Sequence, residues 1–196
     1  MSNKEQIICN EVFKLLQRVK EEYKIKGLNE YVEKYGRAIK YIPADLLTNE
    51  LCEKAVNSDP YAIFRIPHNL RSEELYVMAI CIDHNILEIM RPDMITQEFC
   101  NKIIEKNVKS IEFIPDIYKT EDMCKYAVLK NAENIKYVPN VFLTEELCST
   151  AVKENSRSIK YIPRNFITKE LCMNNLCSYN CCTLEYIPDI YKTYEF

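Results

Sequence analysis

The stretch Thr144-Glu-Glu-Leu-Cys-Ser-Thr-Ala-Val-Lys-Glu-Asn155-Ser-Arg-Ser-Ile-Lys-Tyr-Ile-Pro163 decides the fold, because its landmarks recur along most of the chain. Prolines fall at Pro43, Pro67, Pro92, Pro115, Pro139, Pro163 and Pro188, in steps of 24, 25, 23, 24, 24 and 25 residues. A fixed period of this size is the mark of a repeat architecture. A hydroxyl follows each proline by five residues at Thr48, Ser72, Thr120, Thr144, Thr168 and Thr193, and by four at Thr96.

Two residues after the hydroxyl the chain is acidic in every repeat that continues: Glu50, Glu74, Glu98, Asp122, Glu146 and Glu170. This is a helix start. The hydroxyl accepts a hydrogen bond from an unpaired first-turn N–H, and the carboxylate sits at the positive end of the helix dipole. Positions three, four, seven and eight after the hydroxyl are apolar or small, as in Leu51, Cys52, Ala55 and Val56, or Leu147, Cys148, Ala151 and Val152. At 100° per residue they span an arc of about 140° with the acidic position opposite, which makes one amphipathic helix per repeat.

Eleven residues after the hydroxyl stands Asp59, Asp83, Asn107, Asn131 or Asn155, with Asn180 one place late. These are second N-caps, and Pro60 directly after the first of them suits the opening position of a helix. The following segment runs into a proline that disfavours helix just before it (Ile111 to Pro115, Ile135 to Pro139, Ile159 to Pro163), so the second helix is short. Each repeat therefore reads as a longer helix, a short helix and a Pro-led turn. A period near 24 also suits leucine-rich repeats, with Ile-Lys-Tyr-Ile as a strand. The two caps per repeat, the helical spacing and a total of two glycines exclude that reading.

The expected fold is an all-α, right-handed α-solenoid of short helix-turn-helix repeats. Residues 1–30 form an N-terminal capping helix, centred on 4–24 with Ile7, Ile8, Val12, Phe13, Leu15, Leu16, Val19 and Tyr23 as its apolar side. Residues 31–196 form the array, with Tyr31 and Val32 opening a degraded first repeat. At the other end Ile187 to Thr193 repeats Ile114 to Thr120 residue for residue, and no polar C-terminal cap follows. Either an open apolar end of that kind calls for a partner or for self-association, or the chain is a piece of something longer.

The assembled motif Thr-x-Glu-Leu-Cys-x-x-Ala-Val-x-x-Asn-x-x-x-Ile-x-Tyr-Ile-Pro resembles the short helical repeats grouped as a "domain of unknown function" in amoeba-infecting large DNA viruses, some protists and some bacterial host-interaction proteins. The similarity covers residues 31–196 and is clearest over 96–171. It implies a fold and a viral or host-interaction setting, and no activity.

Composition narrows the function. With 47% hydrophobic and 28% charged residues the chain carries enough apolar material for a folded array. A net charge of −3 gives no general attraction to phosphate backbones or anionic membranes. The polar start, Met1 to Gln6, and the absence of a long apolar run predict neither a secretory signal nor a spanning helix, hence a soluble intracellular protein. In that compartment the 10 cysteines are expected as free thiols.

No catalytic, cofactor-binding or metal-binding residue is expected. Cys52, Cys100, Cys124, Cys148 and Cys172 share one position, but equivalent helices lie about 8–10 Å apart, too far for disulfides or a shared zinc ion. They read as small core residues, and Tyr76 in the same position fits that. The denser group Cys172, Cys177, Cys181 and Cys182 contains no C-x-x-C knuckle. Cys81 with His84 has no orienting third group, His68 stands at a freely varying turn position, and Gly27 and Gly36 are isolated rather than part of a phosphate loop.

Nucleic-acid reading one repeat at a time would need a uniform basic or aromatic position. Three residues before six of the seven prolines stand Lys40, Phe64, Glu112, Lys136, Lys160 and Glu185, and just after the prolines Ala44, His68, Asp93, Asp116, Asn140, Arg164 and Asp189. Neither forms a stripe. Tyr41, Tyr137, Tyr161 and Tyr186 read as inter-repeat packing, and the run from Lys14, Arg18, Lys20 and Lys24 to Lys26 as a solvated helix face. The expectation is a non-enzymatic protein-protein interaction scaffold. The alternatives are a nucleic-acid-binding repeat and a structural subunit that self-associates through its C-terminal repeat.

Overall fold

The computed structural model describes residues 21–176 together with Ile7, Asn10, Glu11, Tyr186 and Pro188; for 21–26 and 174–176 it describes the backbone alone. The described residues are helical and turn-forming, with no strand. The expected helix over 4–24 lies largely outside them. What they contain instead is a helix α1 over Glu21–Lys34, so Tyr31 and Val32, expected to open the first repeat, lie inside a helix rather than after one. Two compact units divide the chain, Met1–Ile95 and Thr96–Phe196.

In the first unit, α2 spans Asn49–Ser58, α3 Glu73–Ile82 and the short α4 Asn85–Ile89. In the second, α5 spans Gln97–Lys106, α6 Glu121–Lys130, α7 Glu145–Glu154 and α8 Lys169–Leu176. Every described hydroxyl of the repeat caps its helix. The N–H of the residue three places on donates to Thr48, Ser72, Thr96, Thr120, Thr144 or Thr168 at 3.1–3.2 Å. These six positions are spaced by 24 throughout, which makes the uneven proline steps informative. Arg91 takes the place that proline holds elsewhere, with φ −66° and ψ 134°, and Pro92 slips one residue into the following 3-10 turn. Pro is tolerated there because the first N–H of a helix has no intrahelical partner.

The longer helices end without glycine. Asp59, Asp83, Asn107, Asn131 and Asn155 adopt extended backbone, donate their N–H to the preceding helix, and accept through the side chain from the N–H two residues on at 3.0–3.2 Å. One residue thus closes one helix and opens the next, so the left-handed glycine cap is not needed. Tyr35 holds this place in the first frame and makes no side-chain cap; the N–H of Gly36 donates to Ser58 Oγ instead, at 3.1 Å.

The second helix of the repeat differs from expectation in kind. It is a 3-10 helix over Gly36–Tyr41, Pro60–Arg65, Val108–Glu112, Ala132–Tyr137 and Ser156–Tyr161, and α-helical only in α4. The same three positions are buried throughout, as in Ala62, Ile63 and Ile66 or Ser158, Ile159 and Ile162, and in α4 as Ile86, Leu87 and Met90, so either kind of helix delivers them to the interior. The Pro-led turn is itself one 3-10 turn, as at Asp116–Tyr118 and Asn140–Phe142, so the frame has three helical pieces rather than two.

The core is built from the predicted positions of the longer helices, Leu51, Cys52, Ala55 and Val56 in α2 or Leu147, Cys148, Ala151 and Val152 in α7, and from the isoleucines of the 3-10 segments. Within the second unit α5 packs on α6, α6 on α7 and α7 on α8, and the segments 108–112, 132–137 and 156–161 pack on one another in the same order. Asn134 is buried with its Nδ2 donating to the carbonyl of Ala127, 2.9 Å away near the end of α6, which also accepts the Asn131 N–H.

Candidate interaction surface

The repeated cysteines are core residues. Cys52, Cys100, Cys124, Cys148 and Cys172 are at most 1% exposed and none forms a disulfide, and Tyr76 is buried at the same position. Burial pushes the thiols of Cys100, Cys124 and Cys148 up from 9.0 to about 11. Two results follow from one cause, the cost of placing a thiolate in an apolar interior. Disulfide-exchange reagents are expected to label these thiols in urea and to leave them unlabelled in the native state at pH 8. Stability is also expected to fall between pH 9 and pH 11. There the thiols of the unfolded chain release protons while those of the folded chain keep theirs, so the unfolded state binds fewer protons and gains with rising pH. The contribution is complete below pH 9, and urea titrations across this range measure its loss.

The other residues considered for chemistry are scattered. Half-buried Cys81 lies late in α3, half-buried His84 directly precedes α4, and His68 is exposed on a turn. Among the described residues no three His, Cys, Asp or Glu side chains are grouped to hold a metal ion. Cys177, Cys181 and Cys182 lie outside the described residues. A cleft of about 200 Å³ is lined by Glu145, Glu146 and Glu170 with Ser149, Phe166 and Leu171. Its carboxylates are those of the first turns of α7 and α8, where the helix dipole accounts for them.

The face formed by the ends of the 3-10 segments is built differently. The positions two and three residues before the turn project outward from the buried isoleucine beside them. In the second unit they carry Glu112 and Phe113, Lys136 and Tyr137, Lys160 and Tyr161. The Lys136 ammonium lies over its own neighbour Tyr137, 4.5 Å from the ring centre, and also 5.6 Å from the ring of Tyr161 in the next frame. Lys160 lies over Tyr161 at 4.6 Å. Hydrogen bonds to the Tyr137 and Tyr161 hydroxyls, foremost, raise both lysines above their ordinary value and keep them charged. Burial and then a hydrogen bond donated to Glu112 raise Tyr137. Tyr137 and Tyr161 are half-buried and Lys136 spans their two frames, a pairing that was not legible in a position-by-position test for uniformity. Lys40 over Tyr41, 4.6 Å from its ring, repeats the motif in the first unit.

Sequence reading also missed Lys119. Its side chain is 5% exposed, and Nζ donates to Asp116 Oδ1 and to the carbonyl of Tyr137 in the next frame, both at 2.8 Å. The signal was available: the residue before the capping hydroxyl is Leu47, Ile95, Leu143 and Ile167 in four other frames, so a cation there needs buried acceptors. Arg71 solves the same problem by donating from Nε to the Ile66 carbonyl at 2.7 Å and from Nη2 to that of Phe64 at 3.3 Å. Lys119→Met is expected to cost about 1–2 kcal/mol, because it strips a charged donor from the end of the 132–137 segment that supports Tyr137. Asp116→Ala should cost less than half of that, since its side chain is 74% exposed; thermal unfolding of the two variants makes the comparison.

No family model, curated protein or solved structure matches this chain. Among the described residues no helix is long and apolar enough to cross a membrane.

Proposed function

We propose that the chain is a non-enzymatic protein-protein interaction scaffold, its 24-residue frames stacked as a right-handed α-solenoid that offers one face to another protein. The observation that carries this reading is the division of labour inside each frame. The capping hydroxyl and a buried Ile or Leu recur, with an Asp or Asn in every described frame but the first, while the two positions after that aliphatic residue vary among Lys, Glu, Phe, Arg, Tyr and Ile and stay at least partly exposed. A fixed interior with a variable outward pair is what a binding array requires and what a catalytic site does not. The motif's resemblance to viral repeats supports a partner in host interaction or assembly.

The test is an affinity pull-down of the tagged chain, with and without nuclease, read by mass spectrometry. A protein recovered near stoichiometry and indifferent to nuclease is the expected result. Recovery of nuclease-sensitive material alone would replace the scaffold by a nucleic-acid reader. Recovery of the chain alone would make it a self-associating structural subunit.

A further inference from the structure

We infer that the Lys136-Tyr137-Lys160-Tyr161 face of the second unit docks an extended acidic peptide segment, whose carboxylates are taken by two ammonium groups held in place by tyrosine rings. This rests on the scaffold reading above and names the chemistry of its partner.

The geometry of the pair is the first ground. Lys136 and Lys160 lie 5.6 and 4.6 Å from the same Tyr161 ring centre, so their amines are no farther apart than those two distances together. An extended peptide rises about 3.3 Å per residue, and carboxylates two or three residues apart span that interval. The second ground is availability. Lys54, Lys102, Lys119 and Lys125 each pair with a carboxylate of the chain. Lys136 and Lys160 are exposed, and among the described residues their amines contact rings and phenol oxygens instead of a carboxylate. Ring contacts restrict the two side chains before any ligand arrives, which lowers the entropy lost on binding.

Charge decides against a nucleic acid as occupant. Glu112 lies near Lys136, and Glu133 near Lys160. A polyanion with a charge on every unit would meet these carboxylates, whereas a peptide can place neutral residues opposite them. The Lys136 ammonium also fills the interval between the Tyr137 and Tyr161 rings where a base would have to stack. At the Glu112 end Phe113, 42% exposed in the same frame position as the tyrosines, offers an apolar contact to the uncharged part of the segment.

The full chain is titrated at low ionic strength, by fluorescence anisotropy, into three labelled probes: a twelve-residue peptide alternating Asp and Ser, its Asn-Ser counterpart, and a twelve-nucleotide oligothymidylate. The Asp-Ser peptide is expected to bind and the other two not. Lys136→Met with Lys160→Met should weaken that binding about tenfold, while Lys106→Met with Lys153→Met, two exposed lysines of the same unit, should leave it unchanged. Both pairs keep the aliphatic stem at exposed positions, and circular dichroism verifies that each variant folds. Undiminished binding by the first pair overturns the proposal, as does an oligonucleotide that binds more tightly than the acidic peptide. In the pull-down, a protein recovered equally by the wild-type chain and by the Lys136/Lys160 variant overturns the docking site and leaves the scaffold reading standing. A wild-type chain that recovers no protein overturns both.

Discussion

Ile135→Ala is expected to lower the stability of the second unit by about 3–4 kcal/mol, near the middle of the range for deleting a buried isoleucine side chain. Ile135 is 1% exposed in the 3-10 segment Ala132–Tyr137, which packs against α6, α7 and the equivalent segments on both sides. Its loss opens a cavity among five elements, each tethered by its own caps, which limits how far they can close in. Ile117, 84% exposed on the turn Asp116–Tyr118, is the internal control. Ile117→Ala should fall within about 0.5 kcal/mol of the wild type, since it removes the same atoms from water rather than from a core. Urea unfolding of both variants measures the contrast. Equal costs would mean that Ile135 does not fill the interior of the second unit.

Gly36→Ala should cost about 3 kcal/mol, at the upper end of the overpacking range, for a reason of space rather than of backbone angle. A Cβ at Gly36 would lie 2.3 Å from the carbonyl oxygen of Ala55, 2.8 Å from the N–H nitrogen of Asp59 and 2.9 Å from its Cβ. Two of the three are backbone atoms at the end of α2, held by the Asp59-to-Ala55 hydrogen bond, so no side-chain rotation relieves the clash. The same approach carries the bond from Gly36 to Ser58, and Ser58→Ala, which leaves the space untouched, should cost no more than about 1 kcal/mol. Chemical denaturation of the two variants separates close approach from hydrogen bonding. A harmless Gly36→Ala would show that the first 3-10 segment does not sit against α2 as closely as described.

Gly36 shows where one-dimensional reading stops. In the sequence it is an isolated glycine with no motif around it. Its need for a missing Cβ comes from a helix end more than 20 residues away in the chain. Lys119 is similar, since a lysine in a mostly apolar column signals a constraint but does not name the Tyr137 carbonyl that satisfies it.

The elements themselves were largely legible. Hydroxyl caps, acidic first turns and the Asp or Asn that joins one helix to the next are local devices, each complete within about four residues, so composition and spacing suffice to place them. The all-helical character and the buried positions of the longer helices follow from the same local rules. The choice of 3-10 over α-helix in the second segment did not follow, since α4 buries the same frame positions as the 3-10 segments. The pairing of Lys136 with two tyrosine rings did not follow either. Local sequence sets where a helix begins and which of its sides is apolar, since those are matters of neighbouring backbone groups and of periodicity. Which cations end up over which rings, and which glycine must stay bare, is set by side chains from different frames competing for the same few ångströms, and that competition exists only once the chain has folded.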